Sequence, residues 1–230
     1  MCYHGAMSEM HKNLLIGVAI AAVLGGSLYV FLYGRISSST PTPTNTATTT
    51  TTGGVTGTGS FTVEQVEPAS VPPPSLKRPI TITADLSEDA KVILRRLLEE
   101  QVVILKSEPT RIDVWLMYGT NRKIAGDFEG AIEAWEYVAQ VAPKEMSATA
   151  HGNLGDLYMY FLKDYKKADT RFNQAIVLNP NVIEYYRALF YLYKDVYNDK
   201  AKAQAILTLG LANNPNNEDL LKYQAELNNS

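Results

Sequence analysis

The sequence predicts an all-α fold: a right-handed superhelix of antiparallel helical hairpins that follows an N-terminal transmembrane helix and a disordered linker. Three observations lead there. Pro109, Pro143, Pro180 and Pro215 lie 34, 37 and 35 residues apart, and each of the last three closes a pair of amphipathic segments. Glycine and alanine recur at matching places within those segments, where small side chains let two helices approach. An uncharged apolar run near the start is long enough to cross a bilayer.

The elements follow in chain order. Residues 1–13 form a short N-terminal flank. Residues 14–34 contain LLIGVAIAAVLGGSLYVFLY and carry no charge, so about 20 residues at 1.5 Å each cover a core of roughly 30 Å. A secretory signal would have a shorter apolar region and a small-x-small cleavage site; YGRISSS offers none, and a retained anchor is the better reading. Gly17, Ala21 and Gly25 fall four apart, a spacing that lets two anchors approach, although small residues are common in such helices. Lys12 and Arg35 nearly balance across the span. A short lysine-bearing head usually stays in the cytoplasm, which places the C-terminal part outside it.

Residues 35–84 are rich in Thr, Pro and Gly (TPTPTNTATTTTT, GGVTGTGS, VPPPSLKRP) and read as one disordered linker that holds the folded part away from the bilayer. Residues 85–110 read as a preceding helix with Val92, Ile93, Leu97, Val103 and Ile104 as its apolar positions. Three hairpins are expected over 111–144, 146–181 and 182–216. A capping helix follows over 217–230, with Leu220, Leu221 and Tyr223 covering the last hairpin and Lys222 and Glu226 in water.

Within the hairpins, Gly119, Gly155, Ala131 and Ala168 allow close approach, and Trp115, Trp135, Tyr158 and Phe172 fill the space beside them. Gly126-Asp127, Lys163-Asp164 and Asn198-Asp199 end one helix and start the next through turn and capping chemistry. The second and third hairpins each hold one extra residue between their helices, which should lengthen that turn. A lone hairpin buries only one face, so such units stack.

These residues resemble the tetratricopeptide-repeat family, whose pattern is W-x2-L-G-x2-Y, then A-x3-F, then P. Trp115, Gly119, Ala131, Trp135 and Pro143 fit it in the first unit, with Tyr118 where Leu is usual and Arg122 where Tyr is usual. The second unit offers Leu154, Gly155, Tyr158, Ala168, Phe172, Ala175 and Pro180. The third offers Tyr186, Leu189, Tyr193, Ala203 and Pro215 and departs at Phe190 and Leu207. The resemblance covers Arg111 to Ser230.

It implies a binding scaffold in which the first helix of each hairpin lines a concave groove. Carried over, the groove holds Asp113, Leu116, Met117, Thr120, Lys123 and Ile124, then Asn153, Asp156, Met159 and Tyr160, then Arg187, Tyr191, Lys194 and Asp195. Of these, Asn153, Tyr160, Arg187 and Tyr191 are the expected binding patch, a mix of aromatic anchors and charge suited to an extended or helical peptide. The clamp some relatives use for acidic tails needs Lys, Asn, Asn, Lys and Arg. Only Asn153 matches, with Leu116, Thr120, Glu184 and Ala188 elsewhere.

Composition narrows the classes. Asp85 to Ser230 holds 17 Lys+Arg against 21 Asp+Glu, a net charge of about −4, with no basic block for nucleic acid. Cys2 is the only cysteine and His151 the only histidine beyond the anchor, so no zinc cluster or Ser-His-Asp triad is expected. Carboxylates such as Glu99-Glu100 and Asp164/Asp169 sit on solvated faces. The expected protein is not an enzyme and needs no cofactor or metal. It is a membrane-tethered scaffold that binds a polypeptide partner and assists assembly of an envelope complex. The alternative is a self-associating, homo-oligomeric subunit of a secretion or pilus-type machine.

Overall fold

A computed structural model describes residues 71–229, all within one compact unit. The apolar run at 14–34, Cys2 and most of the linker lie outside the described residues. Those described are all-α: eight helices and no strand. They are α1 (Glu88–Ser107), α2 (Ile112–Ile124), α3 (Phe128–Val141), α4 (Lys144–Asp156, continued by a wide turn Leu157–Leu162), α5 (Tyr165–Leu178), α6 (Ile183–Tyr191, continued by Leu192–Val196), α7 (Lys200–Asn213) and α8 (Glu218–Asn228). Each packs on the next in the chain, and α2 also meets α4, as α6 meets α8. Among the described residues no helix is long and apolar enough to cross a membrane.

The turns inside the three hairpins share one chemistry. Gly126, Lys163 and Asn198 take positive φ values of 82°, 55° and 51°, which stops the helix. The aspartate that follows each caps the next helix, with Asp127, Asp164 and Asp199 accepting from the N–H groups of Gly130, Lys167 and Lys202. The longer turn expected in the second and third hairpins is not found. Their extra residue is absorbed into a π-helical last turn, in which Asp164 N–H donates to Tyr158 O and Asp199 N–H to Tyr193 O.

Aromatic rings seat on glycine where the helices of a hairpin cross. A Cβ on Gly119 would lie 2.5 Å from Trp135 Nε1, and one on Gly155 2.7 Å from Phe172 Cε1. Ala131, Ala168 and Ala203 are fully buried at the same crossings. The indole of Trp115 donates to Pro109 O and the hydroxyl of Tyr186 to Pro180 O, both at 2.9 Å, so the interrupting prolines also anchor the next helix.

Three expectations need correction. The helix expected at 85–110 starts at Glu88, behind the Ser87 cap, and turns a different face inward: Ala90, Leu94, Leu98, Gln101 and Leu105 are buried. Val92, Ile93, Val103 and Ile104 are exposed, because α1 lies at one end of the stack and has α2 as its main helical neighbour. In α8, Leu220 and Leu227 are buried while Leu221 is exposed, since residues seven apart share a face. Glu226 pairs with Lys194 at 3.0 Å.

The third correction concerns the linker. The expectation of one unstructured stretch over 35–84 does not hold for residues 71–84. Leu76, Ile80 and Ile82 pack against the core. The backbone N–H groups of Thr83 and Ala84 donate to Ala125 O at 2.8 and 3.2 Å. Arg78 pairs with Glu133 at 2.6 Å and reaches Glu129 and Asp127. Beneath them lies Arg122, whose side chain is fully buried. It donates to Pro79 O (2.7 Å), Arg78 O (3.0 Å), Asp127 Oδ2 (2.8 Å) and the Tyr118 hydroxyl. Only its Nε lacks a partner among the described residues. A buried guanidinium thus supplies donors to carbonyls that a chain without ladder bonds would leave unsatisfied.

Candidate functional site

The first helix of each hairpin contributes to one cleft of about 530 Å³. Lys123 comes from the end of α2, Asp156, Tyr160 and Phe161 from the end of α4, and Glu184, Arg187 and Ala188 from α6. Phe172 of α5 and Tyr185 lie at its base, both buried. The Lys123 ammonium sits 5.8 Å from the Phe161 ring centre and 5.9 Å from that of Trp135.

Among the described residues, none of Lys123, Asp156, Tyr160, Glu184 and Arg187 has a hydrogen-bonded or ion-paired side chain. Elsewhere the charges are mostly used, as in Arg171 with Glu136 and Arg111 with Asp113. Burial pushes the Asp156 carboxyl above the usual carboxylate range, while Lys123 and Arg187 pull it back. The Tyr160 phenol is raised by burial and by Asp156, so it remains a proton donor at neutral pH. Lys123 and Asp156 are partly buried and Tyr160, Glu184 and Arg187 are exposed, so each is open to exchange hydrating water for the polar groups of a bound chain.

Of the fourteen groove residues expected from the sequence, the structure brings Lys123, Asp156, Tyr160 and Arg187 into this cleft. Leu116, Thr120 and Asn153 are half-buried outside its lining; the Thr120 hydroxyl donates to Leu116 O, which also accepts from Trp135. Tyr191 and Lys194 are engaged elsewhere. Lys194 pairs with Asp195 and Glu226, and Tyr191 meets Tyr223 edge-on at 5.7 Å, so α8 occupies that end of α6. Met159 is buried in the core.

Phe161 and Tyr185 were missed as lining residues. Phe161 is half exposed because the π turn adds a residue before the helix ends and rotates it toward Lys123 and Phe128. The readable signal was the longer spacing from Gly155 to Asp164 than from Gly119 to Asp127. Tyr185 sits where a Cβ on Gly152 would meet its ring at 2.5 Å, and Gly152 lies outside the repeated glycine positions.

No group of three or more His, Cys, Asp or Glu side chains among the described residues could hold a metal ion. Compared with known proteins, the chain matches no family model, and no curated protein matches it.

Proposed function

We propose that this chain is a membrane-tethered solenoid of the tetratricopeptide type, and that it binds a polypeptide partner in the cleft between α2, α4 and α6. The observation that carries this reading is a set of polar side chains with no hydrogen bond or ion pair among the described residues. Two cations, two carboxylates and a phenol surround an apolar floor, drawn from all three hairpins. A polypeptide offers the matching chemistry, with backbone amides, apolar side chains and charges of both signs along an extended or helical segment. The repeated Gly–aromatic seats and capping aspartates are what support a solenoid of three units. The run at 14–34 supports the tether, and its flanks favour an extracytoplasmic position for the hairpins. The role that such binding serves is assembly of a membrane or envelope complex.

The test is site-specific photo-cross-linking in the full-length protein in its native membranes. A photoreactive residue replaces Tyr160 in one variant and the exposed Val177 on α5 in another. Discrete adducts from position 160, absent from position 177, are expected. Adding K123E and R187E should weaken them at least ~10-fold, equivalent to about 1.4 kcal/mol. Adducts of equal yield from both positions, or adducts indifferent to the two reversals, would refute the cleft as the binding surface.

A further inference from the structure

The outer face of α1 carries a pattern that packing among the described residues does not use. Val92 and Val103 are each 67% exposed, and Ile93 and Ile104 stand beside them at 37% and 36%. An apolar stripe of this kind on an end helix marks an interaction surface. Its order along the helix is palindromic about position 98. Val92 mirrors Ile104, Ile93 mirrors Val103, and Arg96 mirrors Glu100. Arg96 and Glu100 lie between the two apolar pairs, both largely exposed, and reach each other at 3.7 Å.

We propose that this face is the two-fold interface of a homodimer, with α1 packed antiparallel against α1 of a second copy. In a two-fold interface residue i of one copy lies level with residue j of the other, and j with i. About position 98, each apolar residue then meets an apolar residue, and each Arg96 comes level with the partner's Glu100. The seam spans about 18 Å at 1.5 Å per residue. Two alternating apolar clusters with ionic pairs between them set the register as well as the contact. A segment of the same chain fits this face less well. Residues 36–70 contain no Lys or Arg, so they offer no cation to Glu100. One helix per copy also falls short of the roughly 800 Å² per partner of stable complexes, so the dimer is weak and concentration-dependent.

Charge reversal tests the pairing. R96E sets a carboxylate level with the partner's Glu100, and E100R sets a guanidinium level with the partner's Arg96, so either change opposes homodimers. The two variants complement each other, because every cross-pair in the mixed dimer has opposite signs. Full-length protein in detergent micelles is analysed by sedimentation over a range of concentrations, with helicity checked by circular dichroism. The wild type should shift from monomer to dimer, each single variant should need at least ~10-fold higher concentration, and R96E/E100R should recover. With one variant tagged, E100R should be captured by R96E and not by another copy of itself. Docking of a segment of the same chain, or association through the N-terminal apolar run, predicts no such complementation. A monomeric wild type, single variants that dimerise as well as wild type, or a mixture that stays monomeric would overturn the proposal.

Discussion

At the scale of single residues, His151 shows how a position departing from the repeat pattern acquires a specific environment. It stands four residues before Gly155, as Trp115 stands before Gly119, and it is buried with Nδ1 3.4 Å from the Arg171 guanidinium, which is ion-paired with Glu136 of α3. Burial first, and the Arg171 charge second, push its pKa below the ordinary value of about 6.5. The folded chain therefore prefers the neutral ring, and the unfolded chain binds the proton more readily. The stability tied to this preference is complete above about pH 6.5 and is lost as pH falls toward the folded pKa. Asparagine places an oxygen near Nδ1 and does not titrate. Urea midpoints of wild type and H151N should therefore move in the variant's favour between pH 7.5 and pH 5. A difference that stays constant with pH would mean that the ring is protonated equally in both states.

At the scale of elements, the hairpins were legible because their signals are local. The spacing of the prolines, the capping aspartates and the glycines under Trp135 and Phe172 can each be read from a few neighbouring residues. What escaped depends on partners distant in sequence. The inward face of α1 is chosen by α2, and the loss of Tyr191 and Lys194 from the cleft by α8. The π turns are intermediate: the extra residue was visible, but its absorption into the helix end was not. They also create a test. Lys163 holds φ 55° on the surface, and among the described residues its side chain makes no hydrogen bond or ion pair that glycine would forfeit. A left-handed non-glycine residue costs about 1–2 kcal/mol, partly offset by the freedom glycine gains on unfolding, so K163G should stabilise by roughly 0.5–1 kcal/mol. Asn198 has the same conformation at φ 51°, and asparagine tolerates it, so N198G should change less. Equal gains at both sites in denaturant unfolding would place the strain outside the backbone.

At the scale of the whole described unit, the order of packing sets how far a local loss should travel. Arg122 was visible as an arginine where the other two hairpins carry Tyr158 and Tyr193, but its role in holding residues 78 and 79 to the first hairpin needed the structure. Methionine at this position keeps most of the buried volume and removes every donor, leaving the two carbonyls and one side of Asp127 without them. Breaking such a buried charged group from its partners costs about 3–5 kcal/mol. Because each helix packs chiefly on its neighbours, that loss should concentrate in the 71–84 segment and the α2–α3 hairpin. Hydrogen exchange of R122M should therefore show the amides of Thr83 and Ala84, bonded to Ala125 O in the wild type, exchanging much faster. Those in α6 and α7 should keep most of their protection. Acceleration by the same factor at both ends would mean that the helices unfold as one cooperative body, and a change confined to the segment would mean that Arg122 fastens the strap without supporting the hairpin. The graded outcome would make residues 71–84 a fastened part of the first hairpin.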